Sequence, residues 1–175
     1  MNSTPTEAQH ASTNPAWFRK VLGQYPTGVC IITATLANGE DVGMVVGSFT
    51  SVSLNPPLVA FLPDHSSSTW ARLRHASHFC VNILGAEQAS VCSRFASKDP
   101  SLAKFDGHAQ HRSPGGAPLI DAAVAWIDCE RYQVYEAGDH DIVIGAVKHL
   151  DMSSNGQPLL FCQGGYGQFV PFSRP

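Results

Sequence analysis

The sequence predicts a mainly β protein, folded as an antiparallel Greek-key barrel with a few short helices. Many short β-branched runs stand between Gly, Pro and Asn turns, and only about three segments read as helices. No Gly-x-Gly-x-x-Gly follows a strand to open a parallel nucleotide-binding unit. At 175 residues the chain can bury a core of its own without disulfide or metal staples. Residues 15–170 are read as that single domain, with a flexible tail over 1–14 and a short tail over 171–175.

Composition narrows the function classes. Apolar residues make up 43% and charged residues 14%, an ordinary globular balance slightly poor in charge. A net charge of −3 and a pI near 6.2 provide no broad basic face, so no nucleic-acid role is expected and any phosphate must be met locally. The five cysteines are odd in number, widely spaced and without a Cys-x-x-Cys pair, as for reduced, mostly buried thiols. The first 15 residues lack a basic and then apolar leader, and no apolar run approaches the ~20 residues that span a bilayer. A cytoplasmic protein with no membrane role is the expectation.

Taken in order, Asn14-Pro15 is a helix-start signal, a capping side chain followed by a residue pre-set for the first turn. Trp17, Phe18, Val21 and Leu22 then share a face that should pack on the barrel, and Gly23 closes the helix. After the turn Tyr25-Pro26-Thr27-Gly28, the continuous run Val29–Thr35 reads as a strand buried on both sides. Asn38-Gly39 supplies a hairpin back into Val42–Gly47, which should place Thr27 in the same sheet as the residues that follow. Asn55-Pro56-Pro57 interrupts pairing because neither proline can donate to a ladder, and Leu58–Leu62 resumes it. A short helix is expected over Thr69–Arg74, a strand over His78–Leu84 and a helix over Glu87–Phe95. His108–Gly116 reads as a surface loop. Val124–Glu136 reads as one long strand with room for a bulge, returning through Ala137-Gly138-Asp139-His140 into Asp141–Leu150. Pro158–Gln163 is taken as the last strand, with Gly164–Gly167 ending the ordered domain.

Two hydroxyl clusters stand out. Ser48, Thr50, Ser51 and Ser53 fall within six residues between strands, where hydroxyls and freed backbone N–H groups can meet a polar planar ligand. Ser67, Ser68 and Thr69 open a helix and form a candidate phosphate cradle. Either cluster could instead satisfy only its own backbone. Lys104, with Arg94 and Lys98 nearby, is a candidate phosphate partner, though a solvated loop charge is the ordinary state of such a lysine. His75, His78 and Cys80 lack a second well-spaced pair, so no metal is expected.

The ordered motifs Pro26-Thr27-Gly28-Val29, Ser48-Phe49-Thr50-Ser51-Val52-Ser53 with Pro56-Pro57, Phe95-Ala96 and Gly138-Asp139-His140 resemble the flavin reductase domain family of short-chain NAD(P)H:flavin oxidoreductases. The resemblance spans about Ala16 to Phe169. It implies an FMN-binding split β-barrel, a homodimer, FMN or FAD as flavin, and NADH or NADPH as hydride donor to flavin. It also implies diffusive supply of reduced flavin to a separate monooxygenase. On this resemblance Thr27, Val45, Val46, Gly47, Ser48, Phe49, Thr50, Ser51 and Ser53 lie at the flavin, with Ser67, Ser68, Thr69, Phe95 and Lys104 completing its site. His140 is the candidate catalytic residue, near the flavin ring and the nicotinamide. Many members carry Thr or Ala and then Asn or Ser before the hydroxyl run, whereas this chain has Val45-Val46-Gly47, so contacts there must come from the main chain. The alternatives are a non-catalytic flavin-binding module, which would not need His140, and another split-barrel flavin oxidase, whose usual Arg/Lys contacts this Ser/Thr-rich chain lacks.

Overall fold

The structure is a computed structural model and describes residues 14–153 and 156–172. The tail read over the first residues falls outside that range up to Thr13, as do the last three residues. Helix α1 (Pro15–Leu22) begins where the sequence places it: the Asn14 side chain accepts from the amides of Ala16 and Trp17. The strands before α2 are β1 (Thr27–Gly28), β2 (Cys30–Thr35), β3 (Asp41–Val46), β4 (Thr50–Leu54) and β5 (Pro57–Phe61). Helix α2 (Ser68–Leu73), β6 (His78–Ile83) and α3 (Ala89–Ala96) follow. The chain closes with β7 (His111–Arg112), β8 (Pro118–Leu119), β9 (Ala125–Ala137), β10 (His140–Met152), β11 (Leu159–Cys162) and β12 (Gly165–Gln168).

Seven strands form one antiparallel sheet in the order β3-β2-β6-β9-β10-β5-β4. Its edge strands, β3 and β4, are consecutive in the chain and joined only by Gly47-Ser48-Phe49. Laid flat, six strand spacings would separate the edges by ~29 Å. The link from Val46 to Thr50 reaches ~14 Å at most. The sheet must therefore curl until its edges nearly meet, a barrel left open along one seam. Inside it, Ile32, Val42, Met44, Phe61, Trp70, Phe79, Val81 and Val143 form the main core. Ile31, on the opposite face of β2, and Val29 just before the strand pack with Leu84, Val91, Phe95 and Leu159 in a second core under α3, so the strand is buried on both sides as its composition requires.

The long hairpin β9–β10 is bulged at Tyr132 and at Lys148, each of which has no opposite number in the register. At Gly145 the barrel wall comes closest to its contents: a Cβ there would lie 2.5 Å from Phe79 Cζ and 3.0 Å from Cys129 Cβ. Four cysteines are buried and all five are free, and burial pushes the thiols of Cys30 and Cys129 up to about 12.

Three expectations are corrected. The apolar face of α1 is largely exposed and not packed on the barrel as a whole, for Phe18, Val21 and Leu22 are 52%, 47% and 56% exposed while Trp17 is half-buried. Helical spacing reveals that a face is apolar without revealing which surface meets it. Thr27 belongs to a separate three-stranded sheet, β1-β11-β12, rather than to the sheet of the hydroxyl run. Pro158–Gln163 is not the last strand: Gln163 and Gly164 adopt positive φ and turn the chain into β12, which pairs with β11. In addition, part of the loop read at His108–Gly116 forms the small β7–β8 hairpin.

Gly145→Ala is expected to lower stability by about 1–3 kcal/mol, because the added methyl must displace the Phe79 ring in a filled core. A denaturant midpoint measured against the unaltered protein checks it.

Candidate functional site

A cleft of about 870 Å³ opens between β3, the start of α2 and the excursion that follows α3. Its apolar side is made by Val45 and the edge-to-face pair Phe95 and Phe105, whose ring centres lie 5.0 Å apart. Gly43 lets that pair reach β3, since a Cβ on it would stand 2.6 Å from the Phe95 ring. The cleft is also lined by Ser66, Ser67, Ser68, Thr69 and Arg72, and by the carboxylates Glu40, Asp41, Asp64, Asp99 and Asp106. The size is that of a small-ligand pocket.

Of the candidates named from sequence, Val45, Ser67, Ser68, Thr69, Phe95 and Lys104 are brought together around this cleft. Their side chains are not equally available. Ser67 caps α2 by accepting from the Trp70 amide at 3.2 Å, leaving Ser68 and Thr69 as the freer hydroxyls. Lys104 donates to the carbonyls of Phe95 and Ser97 at 2.7 and 2.8 Å, so it fastens the excursion to the C-terminal end of α3, where backbone carbonyls lack helical partners. Partial burial holds its pKa below the ordinary lysine range.

The remaining candidates lie along the seam or at the rim. Thr27 Oγ1 would stand 2.9 Å from a Cβ on Gly47, so β1 closes over the link. The Ser48 hydroxyl donates to the Leu62 carbonyl and accepts from the Leu62 amide, pinning the link to the end of β5. Val46 is buried and Phe49 packs against the main core, leaving only their backbones for a ligand. Thr50 and Ser51 are exposed and Ser53 half-buried on the edge strand β4. His140 bridges to Asp64, a residue of the cleft rim, and its Nδ1 lies 2.7 Å from Asp139 Oδ1.

Two features escape a linear reading. Arg72 follows Ser68 by four residues on α2, so both side chains share one face and line the cleft. Its guanidinium pairs with Glu40 of the β2–β3 turn, another lining residue. The second is Asp141, buried at 1% exposure, whose carboxylate accepts from Trp70 Nε1 at 2.7 Å and meets His65 Nε2 at 2.9 Å, with Arg74 at 3.8 Å. Burial alone would raise its pKa, but the bonds from His65 and Trp70 and the charge of Arg74 hold it below the usual carboxylate range. Helical spacing on α2 could have found Arg72. Nothing local signals Asp141, whose partners lie more than 60 residues away.

The open seam and the cleft lined by the edge strand β3 define a split β-barrel whose site combines aromatic and apolar residues with hydroxyls and charges of both signs. Residues 22–169 match the family described as the flavin reductase like domain, and the chain belongs to that family. It is 54% identical to a flavin reductase of Pseudomonas putida over 97% of this chain and 99% of that protein. Nitrilotriacetate monooxygenase component B from Mycobacterium thermoresistibile has the same fold at a TM-score of 0.87, with 40% identity and coverage of 94% and 92% of the two chains. An NADH:FAD oxidoreductase of Streptomyces globisporus C-1027, solved with NAD and FAD fragments, superposes at 0.86 with 34% identity over 94% and 98%.

A carboxyl whose folded pKa lies below its unfolded value contributes stability above the unfolded value and loses it as pH falls through the folded one. From its lowered pKa, Asp141 is expected to steepen the decline in unfolding free energy below about pH 4. Urea titrations across that range should show a shallower decline in Asp141→Asn. Equal slopes would remove Asp141 as a source of acid sensitivity.

Proposed function

We propose that this chain is the reductase of a two-component flavin monooxygenase, using NADH to reduce FMN or FAD and releasing the product to a separate oxygenase. The observation that carries this is the cleft that hydroxyls, Arg72 and the Phe95–Phe105 pair line together on a flavin reductase barrel. The homologous flavin reductase and the NADH:FAD oxidoreductase support both cofactors, and the monooxygenase component B supports the partner.

The residues fit such a ligand. Ser68, Thr69 and Arg72 would hold phosphate through hydroxyls and a guanidinium, the latter exchanging Glu40 for the ligand. Val45, Phe95 and Phe105 would exclude water from the adjoining apolar portion. Backbone groups from Val45 to Ser53 would border the ring system, with Thr27 closing over Gly47. A bound flavin supplies the hydride-accepting chemistry, so the protein's contribution is alignment and electrostatics rather than a nucleophile. His140, at the tip of the β9–β10 hairpin, would orient the nicotinamide against that ring. Phe18, Val21 and Leu22, left uncovered on α1, suit a homodimer contact, in which a second copy removes this surface from water.

The first test is direct. The purified protein is examined for flavin absorbance, and loss of NADH and NADPH is followed with FMN, FAD or riboflavin under air. Flavin-dependent oxidation is expected, with NADH preferred. Flavin binding without oxidation of either nucleotide would leave a binding module instead.

Two substitutions separate the roles. His140→Ala should lower turnover about 100-fold while flavin affinity stays near that of the unaltered protein, the cost of a misaligned donor. Arg72→Ala should weaken FMN binding about tenfold, the usual size of a lost charge-assisted hydrogen bond, with little effect on riboflavin, which has no phosphate. Titration of flavin fluorescence measures both affinities.

A further inference from the structure

We infer that Asp141 is a positioning residue that sets His140 at a fixed distance from the hydroxyl cluster on α2, so that the two halves of the site act on one bound pair of substrates. The inference rests on the reductase function proposed above. Its carboxylate stands where the two halves join. One oxygen accepts from Trp70 Nε1 of α2, which begins with Ser68 and Thr69, and the other meets His65 Nε2, next to the rim residue Asp64. The Asp141 backbone continues directly from His140.

The surrounding main chain shows what the carboxylate adds. Regular pairing between β10 and β5 begins at Val143 opposite Phe61. Toward the hairpin tip, this neighbouring segment is joined by two main-chain bonds, the Asp141 amide on the Pro63 carbonyl and the His65 amide on the Asp139 carbonyl, which together make the isolated bridge of His140 with Asp64. The carboxylate bonds lie inside that bracket and tie both segments to α2. Helix α2 has its own anchorage, since Trp70 and Leu73 are buried in the main core and Ser67 caps its start. Gly138 and Asp139 at the tip are exposed. Releasing the carboxylate therefore leaves α2 held by its own core contacts, while the tip that carries His140 is left tied to the 63–65 segment by its two main-chain bonds alone and loses its link to α2.

Replacement by Asn keeps the shape and one acceptor for Trp70, removes the charge, and sets an amide N–H against His65 where a carboxylate oxygen stood, a contact that only an Nε2 without a proton accepts. In Asp141→Asn, flavin affinity is expected to stay within about threefold, while kcat/KM for NADH falls about 100-fold, the cost of roughly an ångström of misplacement. Unchanged kcat/KM would overturn the inference, as would parallel loss of flavin affinity and turnover. A second pair keeps the test open should that variant fold poorly. Gln at position 65 can still donate to the carboxylate, so His65→Gln is expected to stay near the unaltered rate, whereas His65→Leu should lose about tenfold, the worth of one bond to a charged group. Equal rates in these two variants would also overturn it. If the unaltered protein oxidises no NADH in the presence of flavin, the reductase function itself fails, and that outcome is distinct from a variant that behaves like an active parent.

Discussion

Everything in this structure depends on three residues that must join opposite edges of a seven-stranded sheet. Gly47-Ser48-Phe49 is too short to cross a flat sheet, so the strands curl until β3 and β4 face each other across a seam. The contents of the link follow from that position. Phe49 turns inward to the main core, Gly47 accepts the close approach of Thr27, and the Ser48 hydroxyl locks onto both polar groups of Leu62. A serine that composition marks as a ligand donor is thus also the pin that holds the seam.

Buried polar groups hold the remaining excursions against the barrel. Asn82 donates to the Ile31 carbonyl and to Thr33 and accepts from the Ile120 amide, while Thr33 donates to the Pro118 carbonyl. Asp128 accepts from the Ser113 hydroxyl and the Gly115 amide. Asp141 performs the same service for α2 and the β9–β10 hairpin. In each case an interior carboxylate or amide is satisfied by groups distant in sequence, which offsets its loss of water and specifies one arrangement of the loops. The cleft inherits its shape from these fastenings and from Lys104 and Arg94, which secure the excursion after α3 to backbone carbonyls.

Much of the fold was legible in the chain because its signals are local. Asn14-Pro15 and Gly23 bound α1, Asn38-Gly39 turns β2 into β3, and β-branched continuity identifies β2 as buried on both faces. Part of the site was legible too, since Ser67, Ser68, Thr69, Val45, Phe95 and Lys104 do converge on one cleft. The division of labour among them was not legible. A hydroxyl has the same appearance in sequence whether it faces a ligand, caps a helix like Ser67 or pins a seam like Ser48.

The sequence by itself determined the strands, the turns, the broad β architecture and the residue types available to the site, because periodicity, backbone propensity and capping act over a few residues. Only the tertiary structure decided that α1 leaves Phe18 and Leu22 to solvent, that Thr27 joins a second sheet and that Asp141 links Trp70 to His65. Those outcomes turn on which surfaces meet after the sheet curls. The energies involved are contacts between residues tens of positions apart, and no local pattern encodes them.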